Sequence, residues 1–133
     1  MTWGLSAANL VNPWLATMRG GGAGTTFTAP AALYDQAHIG DPGASGTANV
    51  STTTTRQLAA WAAPAAGSMA LSTQPAWTSW AGSAETLAGV STWGAASAGT
   101  FYHSTQFTTG RPVNPGDTVT VVSHSFGLGP IAA

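Results

Sequence analysis

The chain reads as a mainly β protein: an antiparallel β-sandwich or jelly-roll-like domain with a short N-terminal helical arm and an extended C-terminal tail. Three observations lead there. From Thr25 onward, short runs rich in Thr, Val, Tyr, Phe and Trp alternate with Gly, Pro, Asn and Asp, the pattern of strands separated by turns. Twenty of the 133 residues are threonine, including the run Thr52 to Thr55, and β-branched side chains favour extended backbone over helix. Helical spacing is confined to residues 1–19.

In that first segment Ser6 to Val11 provides a turn or two of helix, and Asn12-Pro13 reads as a fresh start. Asparagine is a good N-cap, and proline suits the first helical position because its missing N–H needs no partner there. Trp14, Leu15 and Met18 then share a face. Arg19 complements the helix dipole, and Gly20 closes the helix. The run Gly20 to Gly24 reads as a flexible hinge. Strands are expected at Ala31–Ile39, Thr54–Trp61, Ser68–Leu71, Thr86–Trp93, Thr100–Phe107 and Thr118–Ser125. Turns fall at Gly40-Asp41-Pro42-Gly43, Pro64, Gly94 and Asn114-Pro115-Gly116-Asp117. Six or so strands at this spacing suit a sandwich or jelly roll. The resulting division is an arm and hinge over 1–24, a β-domain over 25–126 and a tail over 127–133.

Charge is scarce. Three arginines, four acids and no lysine make up 5% of the chain, against about 25–35% charged residues on the surface of a free-standing soluble domain. Such a surface, built from Thr, Ser, Gly and Ala, suits contact with other protein, because charge and lysine above all are depleted at protein interfaces. Three scattered arginines and a net charge of −1 do not displace the counterions of a nucleic acid. The longest apolar stretch, Leu58 to Leu71, is broken by Pro64 and Gly67 and is too short to cross a bilayer. A secretion signal is not expected, since no basic residue precedes Arg19 and no apolar core follows.

Catalytic patterns are weak. His38, His103 and His124, with Asp35, Asp41 or Asp117, are the residue types of a metal or acid–base site, yet they show neither HxH nor HExxH spacing. No G-x-S-x-G elbow is present, and the Gly20–Gly24 run lacks the Gly-Lys-Ser/Thr ending of a phosphate loop. No cysteine is available for thiolate or metal chemistry. The expectation is a protein that is not an enzyme and takes no cofactor and no metal.

Six tryptophans compensate for the shortage of Leu and Ile, and several are expected to anchor the core. Trp77 and Trp80 stand three apart in a Pro- and Gly-flanked stretch. They are candidates for a glycan-stacking pair or for interface aromatics, against the plainer reading that they cap the core.

The segment Ala32-Leu33-Tyr34-Asp35-Gln36-Ala37-His38-Ile39-Gly40-Asp41-Pro42-Gly43 resembles a family of small structural virion proteins of tailed bacteriophages, especially those infecting actinobacteria. Its members read "LYVALHTGDPG" in such a strand, then a "GTANEVSG…ARQ"-like stretch, a "W…ITHVSLWDA"-like strand and a closing "VNAGDTLTF"-like strand. The counterparts here are Gly46-Thr47-Ala48-Asn49-Val50-Ser51 with Arg56-Gln57, then Leu87 to Gly94, then Val113-Asn114-Pro115-Gly116-Asp117-Thr118-Val119-Thr120. The acid usual after Asn49 is absent, and a threonine run replaces the glycines after Ser51. Members are labelled head-decoration, minor capsid, tail-fibre or minor tail proteins, and the family carries no catalytic residues to transfer.

The resemblance implies a non-enzymatic virion component. The expected role is a capsid decoration or minor capsid (cement) protein on the capsid exterior, assembled in the bacterial host cytoplasm. Its partners would be the major capsid protein and further copies of itself, a trimer being favoured, with neither nucleic acid nor membrane involved. The anchoring arm would use Trp3, Leu5, Leu10, Trp14, Leu15 and Met18. The alternative is a minor tail or tail-fibre protein that touches a host surface glycan, with Trp77 and Trp80 as the aromatic contacts.

Overall fold

The structure is a computed structural model that describes residues 4–18, 27 and 29–127. Two helical segments and nine strands follow in order: a π-helical turn at Ala7–Val11, α1 at Asn12–Met18, β1 at Tyr34–His38, β2 at Gln57–Leu58, β3 at Ala60–Trp61, β4 at Ser68–Thr73, β5 at Ala76–Trp77, β6 at Glu85–Trp93, β7 at Phe101–Val113, β8 at Val119–Thr120 and β9 at Ser125–Gly127. The mainly β, antiparallel class expected from the strand pattern is the one observed.

The strands form three small sheets in a sandwich-like arrangement: β2-β1-β6-β7, β3-β4-β9 and β5-β8. Every pairing is antiparallel. The first sheet is the backbone of the fold. β1 lies between β2 and β6, with Tyr34 opposite Trp93 and His38 opposite Gly89, and Asp35 to His38 are buried on both faces. That explains why this strand reads Asp-Gln-Ala-His rather than alternating apolar and polar residues: each polar side chain must find an internal partner.

The core gathers Ala37, Trp77, Trp80, Leu87, Val90, Val113, Val119 and Val121, with Leu71 and Phe107 packed against it. Trp77 and Trp80 meet edge to face at 6.3 Å, the arrangement the ring quadrupole prefers. Their indole nitrogens donate to Thr55 O at 2.8 Å and Ser83 O at 3.2 Å. A second cluster forms where Trp93 packs on Phe101 at 5.4 Å. The Arg56 guanidinium lies 3.8 Å over the Trp93 ring and donates to the carbonyls of Ala95 and Ala98.

Several expected elements change shape. Thr54–Trp61 is not one strand but two, β2 and β3, which join different sheets on either side of Ala59. Thr118–Ser125 likewise splits into β8 and β9, because the chain leaves one two-stranded pairing before it enters another. β7 runs on to Val113, well past the expected end at Phe107. At the N-terminus α1 begins at Asn12 as expected, but it continues the π-helical turn without a break rather than starting behind an Asn12 cap. Ser6 is the cap, accepting from Asn9 N at 3.2 Å, and Asn12 is already helical. The widened turn, with Val11 N bonded back to Ser6 O, lies just before Pro13. There a proline in a regular helix would clash with the carbonyl four residues earlier.

The N-terminal segment is also stitched to the sheet. Ser6 N donates to Tyr102 O at 2.6 Å, Ser104 N to Gly4 O at 2.9 Å, and Asn9 Nδ2 to Phe101 O at 3.0 Å. Residues 4–6 therefore extend the open edge of β7. The whole of the expected hinge, Gly20 to Gly24, and most of the tail lie outside the described residues, as do Trp3 and Arg19.

Candidate functional site

Of the residues named for an anchoring arm, Leu5, Leu10 and Trp14 line one groove. Leu5 (41% exposed), Trp14 (41%), Leu15 (51%) and Met18 (66%) are among the large apolar side chains left at the surface. Leu5, Leu10, Val11 and Trp14 line an apolar groove of about 180 Å³, with Phe126 of β9 as its far wall. The groove is the product of the strap on β7, which sets the helical segment against the end of β9.

Trp77 and Trp80 have a different place. Each is only 2% exposed and belongs to the core, so neither offers a ring face to a sugar or to another subunit. The plainer reading of these two residues is the correct one. Proline and glycine around them marked a tight connection packed inward, not an exposed loop: Trp80 N and O bond across to Asp117 O and Gly116 N.

Among the titratable groups singled out from the sequence, the fold unites Asp35, His103 and His124 and leaves out Asp41 and Asp117. Asp35 Oδ1 accepts from Thr92 Oγ1 at 2.7 Å, while Oδ2 lies 3.6 Å from His124 Nδ1. His124 Nε2 is 2.7 Å from Thr105 Oγ1, its ring meets Trp61 edge-on at 4.7 Å, and His103 stacks on Phe126 at 5.1 Å. All three titratable side chains are buried, and Asp35 Oδ2, His103 Nε2, His124 Nδ1 and Trp61 Nε1 have no hydrogen-bond partner. Burial, reinforced by His124 and opposed by Asp35, pushes the His103 imidazole down to about 4. Among the described residues no group of three or more His, Cys, Asp and Glu has a metal-holding arrangement. The cluster is polar mortar between β1, β7 and the segment leading into β9.

His38 is held separately. Its Nδ1 lies 2.9 Å from Ala48 O and its Nε2 2.7 Å from Ser91 Oγ, which also accepts from Trp93 Nε1. Burial lowers its basicity, against the pull of the Ala48 and Asn49 backbone.

A cleft of about 420 Å³ was not foreseen. It lies between Phe107, Thr109 and Arg111 on β7 and the strip Thr118 to Ser123. The Asn114-Pro115-Gly116-Asp117 turn creates it. Asn114 N donates to Asp117 Oδ2 at 2.8 Å, and Gly116 adopts φ +90°, so the chain reverses and lays 118–123 beside 107–111. That turn was the one sequence signal that could have found the cleft.

With this geometry in hand, the comparison with known proteins is specific. A family profile described as podophage GP4 fiber I protein gp80 matches residues 8–128. The chain belongs to this family. No curated protein matches it. Membership supports a structural protein of the phage virion, the coarser part of what the strand and turn motifs implied. The family's own description says fiber, which favours the tail-fibre alternative over capsid decoration.

In this gp80-family chain the motif residues have structural duties. Asn49 Nδ2 donates to Asp41 O at 2.7 Å, Gly43 N to Asp41 Oδ1 at 2.8 Å, and Ala48 N to Pro42 O at 3.0 Å. Together they close the loop between β1 and the threonine run. Thr52 N and Oγ1 both donate to Glu85, which ties that run to the start of β6. The residues that carry the likeness to phage proteins therefore carry the fold.

Proposed function

We propose that this chain is a fibre subunit of a phage particle, a non-catalytic β-module that joins other copies of itself through its N-terminal apolar face. The match to a fiber-protein family over residues 8–128 carries the reading. The surface supports it. The described N-terminal residues 4–18 contain no charged side chain, yet they expose Leu5, Trp14, Leu15 and Met18. A second copy presents the same uncharged apolar face, and burying such faces against each other returns about 25 cal/mol per Å² of apolar area. Membership in an assembly also accounts for a chain that holds only 5% charged residues.

Location and oligomeric state test this directly. Immunogold labelling should mark the tail or fibre region, with a few to a few dozen copies per virion by quantitative mass spectrometry. Hundreds of copies spread over the head would replace the fibre reading with capsid decoration. In solution, the Trp14→Ser/Leu15→Ser double variant should sediment as a folded monomer where the parent chain self-associates. An unchanged sedimentation profile would remove the apolar face from the assembly.

A further inference from the structure

The longest strand, β7, breaks register with β6. Across β6 and β7, Gly89 faces Gln106 and Leu87 faces Arg111. Ala88 alone therefore spans the interval that Phe107, Thr108, Thr109 and Gly110 occupy on β7. Bulges of this kind cost ladder hydrogen bonds and re-aim side chains, and they recur beside functional sites. Here the bulge stands over the 420 Å³ cleft. Phe107 and Thr109 from the bulge, and Arg111 just after it, form one wall; Thr118, Thr120 and Ser123 belong to the other.

Arg111 is the second observation. Arg56 is engaged by Trp93 and two carbonyls. Arg111, by contrast, is exposed and, among the described residues, has neither an acid within ion-pair distance nor a hydrogen-bonded partner. An unpaired guanidinium fork matches a carboxylate or phosphate in two-pronged fashion. Four hydroxyl side chains around it provide donors and acceptors, and the half-buried Phe107 ring provides an apolar face. The volume falls within the range of about 300–1,000 Å³ usual for small-ligand sites. A single cation lining the cleft, in a chain of net charge −1, excludes a polyanion such as nucleic acid, which needs clustered Lys and Arg.

We propose that this cleft binds a saccharide carrying one acidic group, with Arg111 pairing the acid, Thr109, Thr118, Thr120 and Ser123 bonding ring hydroxyls, and Phe107 covering a sugar face. The ligand class rests on the fibre reading, since a fibre meets the saccharides of a cell surface. The acid is a carboxylate or a phosphate, and the two are separated by the probes.

The test uses the full chain, two-dimensional NMR and three probes: galacturonate, glucose 6-phosphate, and neutral maltotriose. One acidic probe should bind, with shifts confined to 107–111 and 118–123. Arg111→Gln should weaken it by about tenfold or more, and Arg111→Lys should restore part of the loss. Raising NaCl from about 50 to about 500 mM should weaken acidic binding through screening. Thr109→Val keeps the fold test separate from Phe107, which also touches the core, and should weaken binding without changing the melting temperature. The proposal is overturned if neither acidic probe binds, if Arg111→Gln binds as the parent does, or if maltotriose binds equally well. Fibre labelling on the particle together with silent probes would sink the cleft alone, whereas head labelling would sink the fibre reading whatever the probes show.

Discussion

At the scale of single residues, Gly46 shows how completely one backbone position can be determined. Its φ is +76°, and a Cβ there would come within 2.6 Å of the Phe101 ring and 2.9 Å of the Trp93 ring. Gly46→Ala combines left-handed strain with overpacking, and it should cost about 2–4 kcal/mol in urea unfolding. His103 sets a pH dependence. Its folded value of about 4 lies below the ordinary histidine value of 6.5, so the unfolded chain binds more protons between those limits. The stability associated with the neutral ring is fully present above about pH 6.5 and is lost as pH falls toward 4, by about 3 kcal/mol in all. Melting temperature followed from pH 7.5 to 4 should fall along that window, and His103→Gln should flatten the fall by about one proton's slope. Sequence reasoning named Asp35, His103 and His124 among its candidates but had no means of choosing them over Asp41 and Asp117. Residues from β1, β7 and the approach to β9 meet only after the sheets pack.

Elements were legible in proportion to how local their causes are. β6 matches its expected span almost residue for residue, since its apolar residues lie between turn residues and it is flanked by β1 and β7, with Val90 and Trp93 paired on both sides. β2, β3, β8 and β9 were harder, because a chain that changes sheets has no local mark at the changeover. Bulges and register shifts decide which face a side chain takes. β5 at Ala76–Trp77 was missed altogether; two residues are too short for a period-two signal. The strap at the N-terminus gives an element-scale prediction. Removing residues 1–6 takes two backbone hydrogen bonds from the edge of β7, and the shortened chain should lose about 2 kcal/mol. Hydrogen exchange at the Ser104 amide, which loses Gly4 O as its partner, should speed up more than at Val90 within β6.

Over the whole molecule, scarcity of charge governs behaviour in solution. Among the described residues the one close approach of a histidine to an acid, His124 Nδ1 to Asp35 Oδ2 at 3.6 Å, lies in the interior, where salt screens poorly. Stability should therefore change by less than about 0.5 kcal/mol between about 0.05 and 1 M NaCl, measured by urea unfolding. A larger change would mean that surface charges matter more than seven ionised residues suggest. Self-association through the uncharged N-terminal face should be insensitive to salt as well. Acidic-saccharide binding at Arg111 should not, and that contrast separates the two surfaces in one set of samples.

The amino-acid sequence alone determined the fold class, the main turns, the low-charge exterior and the likeness to phage structural proteins. Each of these rests on spacing and composition within a dozen residues, such as threonine-rich alternation or the Asn114-Pro115-Gly116-Asp117 reversal. Tertiary structure decided which tryptophans are core, which titratable groups meet, and that a bulged strand and a returning strip enclose a cleft around Arg111. Those outcomes depend on pairings between distant strands. A one-residue change of register exchanges inside for outside along a strand, and no local pattern records which register the packed molecule adopts.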